Sequence, residues 1–350
     1  MPQAGDIITL AGGHYPLHHQ LAGSAYGVVW RAGSPSGHEV ALKLINREQM
    51  ARAQPELQAR WVASAEKEIA FLASLAPWDE RHIVRLLDYG MHEGLPVMAL
   101  ELMQDDLAHH LASRCRSGGA LCFGQALAWL GQVNQALAKV HQYGWLYLDL
   151  KPANVLIHPR ATGVRLADFG TSRLRSELPA TFYAGTASWQ APEQFVPTAA
   201  GSWDTGTASD YFALGAMFYY LVTGGVQLRF CADCGNAYRE HGAAGAATLL
   251  ARHGGGMPPT LHPDEAVLFA QRVDSMDSGC ADATWCPAGG SAAASAALSL
   301  LESLLAPARA DRPRNAIDIS RMLDAIRRAA PLALAPLPVA RPANHAWSPA

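Results

Sequence analysis

The chain has 350 residues, of which 50% are apolar and 16% charged, and its 27 Lys and Arg against 30 Asp and Glu leave a net charge of -3. That much apolar material excludes a wholly disordered chain and is enough for two lobes or domains, while the balanced charge excludes a nucleic-acid binder held by bulk positive charge. Six cysteines are too few for a disulfide scaffold.

The first residues, MPQAGDIITLAGG, have no basic segment ahead of an apolar run, so no cleaved signal peptide is expected. Residues 1–14 read as an N-terminal extension. Two strands follow at 27–31 and 39–45, joined by the turn-rich 33–37. Residues 55–75 read as a helix with Ile69, Leu72 and Ala73 on one side. Further strands are predicted at 84–88 and 96–102. After Asp105 the pattern turns helical. Leu127, Leu130, Val133, Leu137 and Val140 mark one face of a helix, and Gly144 is its stop signal. Residues 207–223 form a second, strongly apolar helix. The longest apolar stretch, 211–226, holds three glycines and follows Asp210; it is short for a membrane span and reads as a buried core helix. No membrane insertion and a cytoplasmic location are the expectation. Residues from about 226 to 295, rich in Gly, Ala, Cys and His, read as an insertion or irregular subdomain. Helical periodicity returns at 296–330, and the Pro- and Ala-rich 331–350 reads as a disordered tail. Sheet first and helices afterwards describe two lobes with a cleft between them.

Four short strings carry chemistry. Val40-Ala41-Leu42-Lys43 lies in a predicted strand. Asp149-Leu150-Lys151-Pro152-Ala153-Asn154 follows the long helix. Asp168-Phe169-Gly170 begins 19 residues after Asp149, and Glu193 of Ala191-Pro192-Glu193 lies 25 residues after Asp168. Each string alone is weak; four in register are specific. Together the chain resembles the eukaryotic-type (Hanks-type) Ser/Thr protein kinases over about residues 15–325. The resemblance implies a bilobal α+β protein kinase fold. A small, mainly antiparallel β lobe with one helix would span 15–103, and a larger helical lobe 104–330.

Phosphoryl transfer needs polyphosphate charge held still, a metal to neutralise it and a hydroxyl aimed in line. Lys43 is a point cation on a strand, suited to the phosphates, and Glu68 matches the carboxylate that orients it, with Glu66 the nearby competitor. Asp168 and Asn154 supply hard oxygen ligands for Mg2+. Asp149 matches the aspartate that orients and deprotonates the acceptor hydroxyl, and Lys151 the cation beside the transferring phosphoryl. Thr186 matches the threonine that contacts both in the Ser/Thr class. By position, Leu21, Val29, Ala41 and Leu156 would sandwich the adenine, Leu100 stands at its back, and Glu101 and Met103 offer backbone hydrogen bonds. Gly27 is retained from the glycine-rich loop. Glu193 resembles a partner of Arg312, and Asp210 a clamp on the catalytic-loop backbone.

The departures are informative. Ala22 and Ser24 replace two loop glycines, so weaker ATP binding or slower turnover is expected. Tyr147-Leu148-Asp149 stands where the family has His-Arg-Asp. The missing arginine is the one that receives a phosphate on the activation segment, so activity independent of that phosphate is expected. Cys231-Ala232-Asp233-Cys234-Gly235 resembles a zinc knuckle, with Cys280 and Cys286 further along, and a structural Zn2+ is one reading of them, with His241, His253 and His262 as substitute ligands and free thiols in a loop as the other. The activity implied is ATP- and Mg2+-dependent phosphorylation of protein hydroxyls. The alternatives are a pseudokinase or nucleotide-binding scaffold, and a small-molecule kinase of related fold. The implied partners are ATP and a protein substrate, without nucleic acid, and the segment 226–295 is the expected docking surface.

Overall fold

The computed structural model describes residues 2–24, 26–119, 121–159, 163–180, 183–276 and 290–329. The small lobe begins with β1 (Ile7–Leu10), β2 (Gly13–Gly23), β3 (Gly27–Gly33) and β4 (Glu39–Ile45). The short α1 (Arg47–Arg52) and the long α2 (Pro55–Ser74) follow, then β5 (Leu86–His92) and β6 (Leu95–Glu101). The six strands make one antiparallel sheet in the order β1-β2-β3-β4-β6-β5. Successive side chains on a strand point to opposite faces, and β4 uses both. Val40, Leu42 and Leu44 join Ile8, Leu17, Val28, Trp30 and Val97 in a core private to this sheet. Ala41 falls on the other face and belongs to the larger core shared with the second lobe. Lys43, two residues on, is placed on that same face.

Residues 1–14, expected as an extension ahead of the lobe, supply its edge strand. Ile8 and Leu10 of β1 are buried, and the Asp88 carboxylate on β5 accepts hydrogen bonds from the Gly12 amide at 2.9 Å and the Tyr15 hydroxyl at 2.8 Å. A strand of four residues is too short for its alternation to stand out in sequence; its partner strand and Asp88 define it.

The second lobe opens with β7 (Asp105–Asp106), α3 (Leu107–Arg116) and α4 (Phe123–Gln142). The short strands β8 (Trp145–Leu146), β9 (Val155–Ile157), β10 (Val164–Leu166) and β11 (Arg173–Leu174) then frame the loops of the cleft, and α5 (Pro192–Phe195) precedes α6 (Thr207–Val222). Helix α6 is buried nearly all round, as expected for a helix apolar on every face. Its neighbours include α4 and α10 (Gly290–Leu304), which α11 (Ala316–Ala329) follows. Gly215 permits the close approach: a Cβ there would lie 2.8 Å from Leu304 Cβ.

The stretch from 226 is not irregular where it is described. It forms α7 (Arg229–His241), α8 (Gly245–Arg252) and α9 (Pro263–Ser275). On α7, Phe230, Cys231, Cys234 and Ala237 are buried in the main core. Their spacing is helical, and cysteine here behaves as a small apolar residue. This corrects the zinc reading. Cys231 and Cys234 sit inside a helix rather than on a tight turn. Burial pushes both thiols above their ordinary value, which opposes the thiolate that zinc requires. Among the described residues, neither shares a ligand cluster with other His, Cys, Asp or Glu side chains. Cys280 and Cys286 lie outside the described residues. Among the described helices none is long and apolar enough to cross a membrane.

Candidate active site

The cleft face of β4 and the inner face of α2 meet at Lys43. Its ammonium lies 2.9 and 2.7 Å from the two carboxylate oxygens of Glu68 and 2.8 Å from Asp168 Oδ1. Glu68 is buried and Glu66 exposed, which decides between the two candidates. Burial by itself lowers the Lys43 pKa, but the Asp168 and Glu68 charges outweigh it and hold the ammonium above its ordinary value. The same ammonium holds Asp168 below the ordinary carboxylate range. Burial raises Glu68 against the pull of Lys43. One turn before Glu68 on the same helical face, the Ser64 hydroxyl donates to the Gly170 carbonyl. Beside it, Lys67 pairs with Glu177 at 2.9 Å. Helix α2 is thereby tied to the segment after Asp168 at two points, Ser64–Gly170 and Lys67–Glu177.

The catalytic loop hangs from Asp210 in the first turn of α6. The Asp210 carboxylate accepts from the Tyr147 amide at 3.0 Å and the Leu148 amide at 2.7 Å, and lies 2.8 Å from His141 Nε2. Leu148 has φ 64 and Asp168 has φ 59, a left-handed backbone that costs a non-glycine residue roughly 1–2 kcal/mol. Leu148 is kept there by Asp210 on its N–H and by Gln194 Nε2, which donates to its carbonyl at 2.7 Å. Tyr147 is buried edge-on against Phe169, with centroids 5.2 Å apart, and Phe71 packs on the Phe169 ring at 4.6 Å.

Held by this frame, Asp149 Oδ1 accepts from the Thr186 hydroxyl at 2.7 Å. Its Oδ2 accepts from Lys151 Nζ at 2.8 Å and Asn154 Nδ2 at 3.0 Å. Lys151 also reaches the Thr186 oxygen at 2.8 Å, closing a triangle. Burial raises the Asp149 pKa, while the Lys151 charge and its hydrogen bond pull it down. The Asn154 nitrogen is committed to Asp149, which leaves its amide oxygen as the coordinating end. Asp168 is a half-exposed carboxylate kept ionised by Lys43. Two hard oxygens of this kind fit Mg2+.

The residues expected around the adenine lie on four strands of the two lobes. Leu21 is on β2, Gly27 and Val29 on β3, Ala41 on β4 and Leu156 on β9. Ala41 pairs with Leu100 across β4 and β6, and Glu101 and Met103 continue the chain into the second lobe. The Glu101 side chain is engaged, accepting from the Arg85 amide at 2.9 Å and pairing with Arg165 at 2.7 Å. At the altered glycine-rich loop, Ser24 Oγ accepts from the Tyr26 amide at 3.2 Å and the Gly27 amide at 3.1 Å, and Tyr26 packs edge-on against Trp61 of α2 at 5.1 Å. Behind the site, Arg312 grips both Glu193 carboxylate oxygens at 2.8 and 3.0 Å. Ser64, His141, Gln190 and Gln194 went unread in the sequence. Only Ser64 carried a signal, its place one turn from Glu68; His141 acts through the Asp210 carboxylate, Gln194 through the Leu148 carbonyl and Gln190 through the Ala184 carbonyl, contacts that no motif specifies.

The family described as the protein kinase domain matches residues 15–319. The serine/threonine-protein kinase PknA of Mycobacterium tuberculosis is 30% identical over 269 residues, covering 75% of this chain and 55% of PknA. The serine/threonine-protein kinase pkn2 of Myxococcus xanthus is 26% identical over 230 residues, covering 63% of this chain and 25% of that protein. The chain therefore spans about half the length of PknA, or less of pkn2. The crystal structure of the Mycobacterium tuberculosis PknI kinase domain matches 94% of this chain and 100% of its own, with a TM-score of 0.58 at 23% identity, which is a likeness of fold.

Proposed function

The chain belongs to the protein kinase family, and on that premise we propose that it is a serine/threonine protein kinase using ATP and Mg2+. The observation that carries the reading is the meeting of two clusters in one cleft. Lys43 with Glu68 and Asp168 forms one, Asp149 with Lys151, Asn154 and Thr186 the other, and the Ala167 amide beside Asp168 donates to the Asn154 carbonyl at 2.9 Å, which brings the two together. Asp149 orients the acceptor hydroxyl and takes its proton. Lys151 stands beside that carboxylate, where negative charge on the transferring group is balanced. Thr186, bonded to both, holds them in a single arrangement. Lys43, fixed by Glu68, is placed for the phosphates of the donor. Asn154 and Asp168 would hold Mg2+, which neutralises polyphosphate charge when bound. The lysine two residues after Asp149, together with Thr186, supports Ser/Thr rather than Tyr acceptors.

Activity without a phosphate on the activation segment is part of the proposal. Leu148 is apolar and buried, so it gives such a phosphate nothing to bind, yet Thr186 is already on Asp149 and Lys151. The test is transfer from labelled ATP to casein and to the enzyme itself. Wild type is expected to be active with Mg2+ before and after phosphatase treatment, with activity lost in Asp149→Asn and Lys43→Met. Labelling that persists in Asp149→Asn would refute catalysis at this site. The second reading, a nucleotide-binding scaffold, is favoured by Ser24, whose side chain occupies two amides of the phosphate loop. Saturable nucleotide binding with no transfer would establish it.

A further inference from the structure

The activation segment is held by a device that the catalytic residues do not include. Tyr183 lies stacked on Tyr238 of α7, centroids 5.0 Å apart and planes at 19°. Its ring meets Trp203 edge-on at 6.2 Å. Its hydroxyl donates to Gln190 Oε1, and Gln190 Nε2 donates to the Ala184 carbonyl at 2.7 Å. Ala180 and Trp203 exchange two backbone hydrogen bonds, at 3.0 and 2.9 Å. Helix α7 also holds the other end of the segment. Gly235 lies so close that a Cβ there would come 2.7 Å from Ser188 Cβ, and Gln227, just before the helix, donates to the Ser188 carbonyl at 2.6 Å. Thr186 sits between these two anchors. The cavity lined by Leu148, Arg173, Ala184, Gln194, Trp203 and Thr205 is only about 10 Å³, room for one water.

We infer that Tyr238 and Gln190 are positioning residues, forming with Tyr183 an aromatic and amide latch that sets Thr186 against Asp149 and Lys151 in place of a phosphate. The inference rests on the reading above, that the kinase works without that phosphate, and adds which residues do the holding. Tyr238 is 41% exposed, so its ring is there for the stack rather than for the core. Offset ring stacking is directional enough to hold a loop in one place. The paired bonds of Gln190 close the backbone of 184–190 onto the Tyr183 hydroxyl.

The experiment uses the full chain treated with phosphatase, with casein as acceptor. It measures kcat, KM for ATP and amide hydrogen exchange over 183–190. Tyr238→Ala is expected to lower kcat about tenfold or more, because misplacing a catalytic contact by an ångström has effects of that order. It should leave KM for ATP unchanged and speed exchange over 183–190. Tyr238→Phe keeps the ring and should retain both. Gln190→Leu, which leaves α7 untouched, should match Tyr238→Ala and serves if that variant does not fold. Wild-type kcat and exchange in both Tyr238→Ala and Gln190→Leu would overturn the latch, as would a Tyr238→Phe as impaired as the alanine. If dephosphorylated wild type is inactive but its segment is still protected, the phosphate-independence reading fails, and the latch stands as a hold on the segment but not as a substitute for the phosphate. If the segment is also unprotected, the latch fails.

Discussion

Arg312 is the place where removal of one side chain should be felt most widely. It is buried, and its guanidinium makes two charge-assisted hydrogen bonds to Glu193 at 2.8 and 3.0 Å. It also donates to the carbonyls of Ala306 at 2.7 Å and of Ala208 and Pro307 at 3.0 Å, and it lies 5.0 Å from the centre of the Phe212 ring. Arg312→Met keeps much of the volume and removes every donor. Glu193 is then left with the Ser209 hydroxyl at 2.7 Å in a place where its side chain is only 16% exposed. Removing one partner of a buried pair costs about 3–5 kcal/mol; because Glu193 keeps some water and one hydrogen bond, the lower end applies. In a domain of this size each kcal/mol lowers Tm by about 2–4 °C, so a loss of about 6–12 °C is expected in calorimetry. Glu193→Gln and the double variant complete a cycle. Coupling above about 1 kcal/mol is expected for side chains in direct contact. A loss below about 1 kcal/mol in Arg312→Met, or strictly additive variants, would refute the argument that this pair ties α5, and with it the activation segment, to the last helices.

Three further outcomes follow from the same geometry. Gly215→Ala sets a methyl 2.8 Å from Leu304 Cβ and 3.0 Å from Leu305 Cδ2, so α10 must shift; an overpacking cost of about 1–3 kcal/mol should exceed the gain in helix propensity of about 1 kcal/mol, and an unchanged Tm would contradict the contact. In the role proposed for it Asp149 acts ionised, its pKa raised by burial and pulled down by Lys151, so activity is expected to fall as pH drops through that raised value. Lys151→Met removes the lowering charge and should move the acid limb of kcat/KM to higher pH; a limb that stays or moves lower would show that Lys151 does not act on Asp149. Leu148→Arg brings a second cation to a cavity of about 10 Å³ already lined by Arg173, and should cost several kcal/mol, about 3 or more, read as a lower Tm; a variant as stable as wild type would mean that this pocket accepts the family's arginine.

Much of the site was legible because its rules are local. Alternation along β4 sets Lys43 on the same side as Ala41, though only the fold, burying Glu68 and exposing Glu66, decides between the two glutamates. The strings around Asp149, Asp168 and Glu193 needed no tertiary information to be recognised. The apolar run 211–222 could only be a buried helix. What stayed hidden depends on contacts between segments far apart in the chain. Cys231 and Cys234 looked like ligands because their spacing suits both a metal turn and a helix interior, and only packing against the main core separates the two. Asp88 gives no sign in sequence that it fastens the turn after the first strand, and the second strand, to the fifth. Tyr238 is one exposed aromatic on a polar helix until the fold stacks it on a tyrosine 55 residues earlier. Residue type and spacing specify elements and chemistry because backbone geometry repeats along the chain. Which distant surfaces fit together is set by side-chain volume and by polar groups that must find partners once buried, and only the folded molecule shows that.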